Sequence, residues 1–111
     1  MNGSIINRDM KKKKVDHVIT RFDHIQIPLS FRSIRRNLEM EGFCIDPQHP
    51  QAEIVVDKRL GKRRKLNVLI EEVTHAFFYD EPEYKVRKFS SELGKVIYNR
   101  FVKQNSIENI D

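Results

Sequence analysis

The chain is short of several features that stabilise or address small proteins. It has a single cysteine, Cys44, in 111 residues. No internal disulfide can close, and that usage suits a reducing compartment. No stretch approaches the ~20 consecutive apolar residues of a membrane-spanning helix, so no membrane partner is expected. The lysines at 11–14 are not followed by an apolar segment, which argues against a secretory signal. There is no internal repeat and no low-complexity tract beyond those lysines.

What is present fits one soluble domain with a modest core: 39% of residues are hydrophobic and 33% are charged. The net charge of +5 favours anionic partners, nucleic acid first, although this bears on encounter and solubility rather than on fold. Residues 1–14 read as a flexible basic N-terminal arm, 15–103 as the domain and 104–111 as a frayed tail. The arm is either a phosphate-binding tail or a solvated terminus.

Within the domain, residues 15–29 carry strand-like spacing, with Ile25, Ile27 and Leu29 alternating onto one face. Pro28 cannot donate to a ladder, which predicts an edge strand or a strand end. Ser30 offers a helix N-cap. Phe31, Ile34 and Leu38 then follow at helical spacing, with Gly42 as the stop, predicting a helix over 30–41. Its arginines, Arg32, Arg35 and Arg36, form either a phosphate-contacting face or a solvated one. Pro47 and Pro50 mark 43–51 as a loop. Cys44 lies there with His49, in no recognisable nucleophilic context. Residues 52–57 read as a strand on the β-branched run Ile54, Val55 and Val56.

The most informative stretch is 66–79, LNVLIEEVTHAFFY. Leu66, Ile70, Val73 and Phe77 recur at steps of four, three and four, a helical period. Glu71 and His75 are four residues apart and so neighbours on one surface. Glu72 lies about 60° round the helix from His75, and this polar group is expected to point largely away from the apolar stripe. The string E-E-x-x-H differs from the metal-binding motif H-E-x-x-H only in its first ligand, where Glu71 replaces histidine. Glutamate binds Zn²⁺ through oxygen, but an extra carboxylate leaves bound water less acidic. A single E-x-x-H rules out a di-iron bundle, which needs two such motifs. The plain alternative is a hydrogen bond between His75 and Glu71 one turn back.

The segment preceding that helix is strongly basic. Lys58, Arg59, Lys62, Arg63, Arg64 and Lys65 are candidate nucleic-acid contacts, or else a solvated connection running into an exposed first turn. Cations at a helix N-terminus oppose its dipole, so helix stabilisation does not account for them. After the helix, Pro82 suits a first helical position. Val86, Phe89, Leu93, Val96 or Ile97, and Phe101 predict a second helix ending near Lys103. Glu83 and Arg87 on it are spaced for an i,i+4 ion pair.

Residues 42–103 resemble a family of small zincin-like metallopeptidases common in phage and bacterial genomes. The resemblance rests on Gly42-Phe43-Cys44, on Glu53-Ile54-Val55-Val56-Asp57, and on Leu69-Ile70-Glu71-Glu72-Val73-Thr74-His75-Ala76. Phe78, Asp80, Glu83, Val86, Leu93 and Tyr98 then follow. It implies Glu72 as general base, His75 as a metal ligand, and Glu83 as the acidic ligand from the second helix, with Asp80 and Glu81 as alternatives. Glu71 occupies the remaining ligand position. One Zn²⁺ per chain is implied, with Mn²⁺ or Fe²⁺ suited to the oxygen-rich set.

The expected architecture is α+β, a small sheet packed on two C-terminal helices in a minimal zincin-like arrangement. The expected function is metal-dependent hydrolysis of a peptide or protein, in the cytoplasm of a bacterial host if phage-encoded. The alternative is a non-catalytic nucleic-acid-binding or interaction protein on the same scaffold.

Overall fold

The computed structural model describes residues 14–103. The proposed arm up to residue 13 and the proposed tail from 104 lie outside the described residues. Four strands, β1 (His17–Thr20), β2 (Gln26–Arg32), β3 (Gly42–Cys44) and β4 (Ile54–Asp57), precede two helices, α1 (Lys62–Phe77) and α2 (Glu83–Ile97). A π-helical turn, Tyr98–Lys103, continues α2. The sheet order is β1-β2-β4-β3. The β1–β2 and β3–β4 pairs are antiparallel and the central β2–β4 pair is parallel. This is an α+β fold with a mixed sheet. No helix among the described residues is long and apolar enough to cross a membrane.

Alternation builds the core. Ile27 and Leu29 of β2 and Ile54 and Val56 of β4 are buried on the face that receives Val68 and Ala76 of α1. Val55, between the two β4 residues, is buried on the opposite face beside its register partner Ser30. Strand β4 is buried throughout, as a central strand with neighbours on both sides should be.

The structure corrects the expected helix over 30–41. The alternation that begins at Ile25 runs on through Phe31, and Leu29 to Arg32 pair with Ile54 to Asp57. Ser30 is no N-cap. Its hydroxyl donates to the Lys14 carbonyl at 2.7 Å, while the Phe31 N–H donates to Asp16 Oδ2 at 2.8 Å. The ladder to β4 outweighs the local helical spacing. What remains of the predicted helix is one 3₁₀ turn, Arg36–Leu38. Pro28 is tolerated within β2 because parallel pairing to β4 starts only at Leu29, one residue later.

Gly42 does not stop a helix; it begins β3, in a stretch expected to lead into a loop. A Cβ on Gly42 would lie 2.6 Å from Val68 Cγ1, 2.9 Å from the Val55 carbonyl oxygen and 3.3 Å from Glu72 Cγ. The missing side chain lets the edge strand close under α1.

The buried rows of both helices also differ from those predicted. On α1 the fully buried positions are Val68, Glu72 and Ala76, while the stripe Leu66, Ile70, Val73 and Phe77 is only half-buried. On α2 they are Val86, Ser90 and Gly94, while Phe89, Leu93, Val96 and Phe101 are exposed. The helices run antiparallel, with Asn67 facing Gly94 and His75 facing Glu83. Small residues set this seam. A Cβ on Gly94 would fall 1.9 Å from Asn67 Oδ1, so size decides which face of α2 docks rather than hydrophobicity. The Ser90 hydroxyl is satisfied within its own helix by donating to the Val86 carbonyl at 2.7 Å.

Gly42→Ala is expected to destabilise the protein by about 1–3 kcal/mol, because the Val55 carbonyl is backbone and cannot step aside. Thermal unfolding followed by circular dichroism should show a midpoint several degrees lower. An unchanged midpoint would mean that β3 does not rest on α1 as described.

Candidate metal centre

The antiparallel crossing of α1 and α2 gathers ionisable groups at one end of the pair. Glu71 and His75 are one turn apart on α1, and Glu83 opens α2 after a short connection. One ligand atom from each of Glu71, His75 and Glu83 lies within 4.8 Å of the others. His75 Nε2 is 2.6 Å from Glu83 Oε1, close enough for an Nε2–H to donate to that oxygen. Of the acids considered on this connection, Glu83 is the one that reaches the histidine. Glu81 instead pairs with Lys85 at 3.6 Å.

Arg87 closes the group from the α2 side. Its Nε is 3.9 Å from Glu71 Oε2, and a terminal nitrogen is 3.6 Å from Glu83 Oε2. The i,i+4 pair expected between Glu83 and Arg87 is therefore present, and Arg87 also bridges to α1. Sequence reasoning gave Arg87 no part in the site. Its spacing to Glu83 was visible, whereas its reach to Glu71 depends on the helix crossing.

The expectation that Glu72 points away from the apolar side is overturned. It lies in the buried row between Val68 and Ala76 and is 8% exposed. No hydrogen bond or ion pair within the described residues satisfies its carboxyl. Burial pushes its pKa up from 4.5 to about 7, with help from the negative charges of Glu71 and Glu83. Its carboxyl oxygens keep contact with solvent even though the residue as a whole is buried. A carboxyl whose pKa falls near neutrality has the property required of a general base.

Glu72 reaches solvent through a cleft of about 660 Å³. Its walls include Glu41 and Gly42 at the sheet edge, Arg64, Glu71 and Glu72 from α1, and Glu83 and Arg87 from α2. The donor set, one imidazole nitrogen and two carboxylates with a third carboxyl alongside, suits a divalent cation chemically. Excess negative charge is already felt at Glu72, and a cation could replace the proton between His75 and Glu83.

The basic segment before α1 is divided by the fold. Arg59 is bound to Asp57 at 2.8 Å and donates to the Ile34 carbonyl. That guanidinium holds the buried Asp57 carboxyl far below its ordinary range. Arg64 pairs with Glu41 at the cleft wall. Arg63 lies over the Tyr98 ring, 5.4 Å from its centroid. Lys58, Lys62 and Lys65 make no ion pair within the described residues. Cys44 is half-buried and its thiol is pushed up to about 12, chiefly by burial. It is not a nucleophile at neutral pH.

Glu72 also fixes a pH dependence of stability. Its folded pKa is above its ordinary value, so between about 4.5 and about 7 the folded state binds more protons than the unfolded one. The contribution is fully present below the lower value and is lost as pH rises through the upper one. At pH 8 the ionised group costs on the order of 3 kcal/mol in metal-free protein. Glu72→Gln should therefore raise the melting temperature of chelator-treated protein at pH 8 and leave it nearly unchanged at pH 4. Equal effects at both pH values would contradict the burial of an ionisable carboxyl here.

No family model, no curated protein and no solved structure matches this chain, so the functional reading rests on the site itself.

Proposed function

We propose that the protein is a metal-dependent hydrolase of peptidase type on a zincin-like scaffold, acting in the cytoplasm. The observation that carries this reading is the convergence of Glu71, His75 and Glu83 from two helices within 4.8 Å of one another, beside a buried Glu72 that has no partner among the described residues. In this reading the first three hold one divalent cation per chain. Zn²⁺ is the first candidate, with Mn²⁺ or Fe²⁺ favoured by the two oxygen donors. When bound, such a cation supplies Lewis acidity toward an amide carbonyl and lowers the pKa of water.

The remaining chemistry falls to side chains of the cleft. Glu72, with a pKa near 7, accepts a proton from the attacking water and returns it to the leaving amine. Arg87 holds the carboxylates of Glu71 and Glu83 in orientation and offsets part of their charge. Strand β3 ends the sheet, and Gly42 on it borders the cleft. Its outer edge, unpaired among the described residues, offers an extended peptide the backbone pairing by which strands add to sheets. Glu71 in place of a histidine adds negative charge to the ligand set and weakens activation of water relative to a two-histidine site. Slow turnover is the consequence.

Elemental analysis of protein purified without chelator should find about one divalent metal per chain, lost in His75→Ala and in Glu83→Gln. Glu72→Gln should keep the metal but lose hydrolysis of a casein or peptide-library substrate by roughly 10²-fold or more. Stoichiometric metal absent from the parent, or activity that survives Glu72→Gln, would reject the proposal. Glu71→His should tighten Zn²⁺ binding and speed turnover.

A further inference from the structure

The opposite end of the helix pair has the opposite electrical character. Residues 58–70 contain six cations and no acid, and residues 93–103 contain three cations and no acid. These segments are far apart in sequence, but antiparallel packing joins them. The Arg63 guanidinium rests over the Tyr98 ring, 5.4 Å from its centroid. The joined zone lies roughly 20 Å along α1 from His75 at 1.5 Å per residue.

Three of the nine cations are neutralised locally: Arg59 by Asp57, Arg64 by Glu41 and Lys95 by Glu92. The other six, Lys58, Lys62, Arg63, Lys65, Arg100 and Lys103, make no ion pair within the described residues. All but the half-buried Lys65 are exposed. Helix stability does not explain them. Four consecutive cations occupy the first turn of α1, where the helix dipole disfavours positive charge. The N-cap, Gly61, supplies no side-chain bond to offset this.

Phe101, flanked by Arg100 and close to Lys103, is 61% exposed. An exposed aromatic ring next in the chain to unpaired cations, on a turn joined to the basic start of α1 through Arg63 and Tyr98, matches the two needs of a nucleic-acid strand, phosphate neutralisation and a stacking platform. A lipid surface fits less well. The only large apolar side chain in 58–65 is Leu60, which packs toward the core, so this half of the zone has nothing to insert among acyl chains. A duplex would use the cations but not the ring.

We propose that the surface formed by Lys58, Lys62, Arg63, Arg100, Phe101 and Lys103 binds single-stranded nucleic acid. The cations lie along the phosphates and Phe101 stacks on a base. This surface shares no residue with the metal centre and stands whether or not that centre hydrolyses peptides.

Fluorescence anisotropy with a labelled 20-nucleotide oligo(dT) and a 20-base-pair duplex, over a salt series, tests it. With the full chain, log affinity for the single strand should fall with log salt at a slope of roughly −3.5, about −0.7 for each phosphate neutralised by the five cations. Lys58→Glu with Lys62→Glu should weaken both ligands tenfold or more. Phe101→Ala should weaken the single strand roughly fivefold or more and leave the duplex unchanged, and Phe101→Tyr should restore binding. These positions are exposed, and melting temperatures no lower than the parent's confirm that each variant is folded. Salt-independent binding, no effect of Phe101→Ala on the single strand, or an equal loss of single strand and duplex in Phe101→Ala would overturn the proposal. So would displacement of the oligonucleotide by phosphatidylserine vesicles in the parent but not in Phe101→Ala, which would assign the surface to membranes.

Discussion

A carboxyl group with no hydrogen-bond or ion-pair partner among the described residues lies in the row of side chains by which α1 rests on the sheet, and the surrounding structure is arranged about it. Val68 precedes Glu72 in that row and Ala76 follows it, each one turn away, and both belong to the core. Beneath, the missing side chain of Gly42 brings β3 close enough for its backbone to flank the Glu72 stem. Alongside are two further carboxylates that raise the cost of ionising the third. Packing would be better served by a leucine or methionine at 72. Keeping an acid there gives up stability for a group that can exchange protons near neutrality.

The parts of the site legible in the sequence were those set by short spacing. The adjacency of Glu71 and His75 follows from one helical turn, and the nearness of Glu83 follows from a short connection between two helices. The orientation of α1 was not legible. Leu66, Ile70, Val73 and Phe77 recur at helical steps, and that spacing pointed to them. Yet the row that meets the sheet contains valine, glutamate and alanine: Val68 and Ala76 allow close approach, and Glu72 turns its carboxyl to the cleft. Close approach likewise hid the seam of α2, where Ser90 and Gly94 dock while Phe89 and Leu93 do not.

The region around β2 failed for a different reason. Ser30 has the chemistry of a cap, and Phe31, Ile34 and Leu38 have helical spacing, so local signals agreed on a helix. Strand β4, from elsewhere in the chain, claims the backbone of Ser30 to Arg32, and no local reading reveals a distant ladder partner. Strand β3 was missed because it is three residues long and its glycine reads as punctuation.

Taken as a pair, the helices carry their charges at opposite ends. Glu71, Glu72 and Glu83 gather where α1 finishes and α2 starts, whereas the unpaired lysines and arginines gather where α1 starts and α2 finishes. A net charge of +5 averages over this division and conceals it.

The extensive contacts of α2 are with α1 and with the π-helical turn that continues it, not with the sheet. A helix anchored on one side can lift away while the β-layer stays intact, a partial opening with its own equilibrium. Glu83 travels with it, so the coordinating triad is whole only while that seam is closed. Any ion gripping His75 and Glu83 together would act as a clasp between the two segments, its apparent affinity reduced by the fraction of time the seam stands open. Slower amide exchange along α2 on loading would be the mark of that linkage.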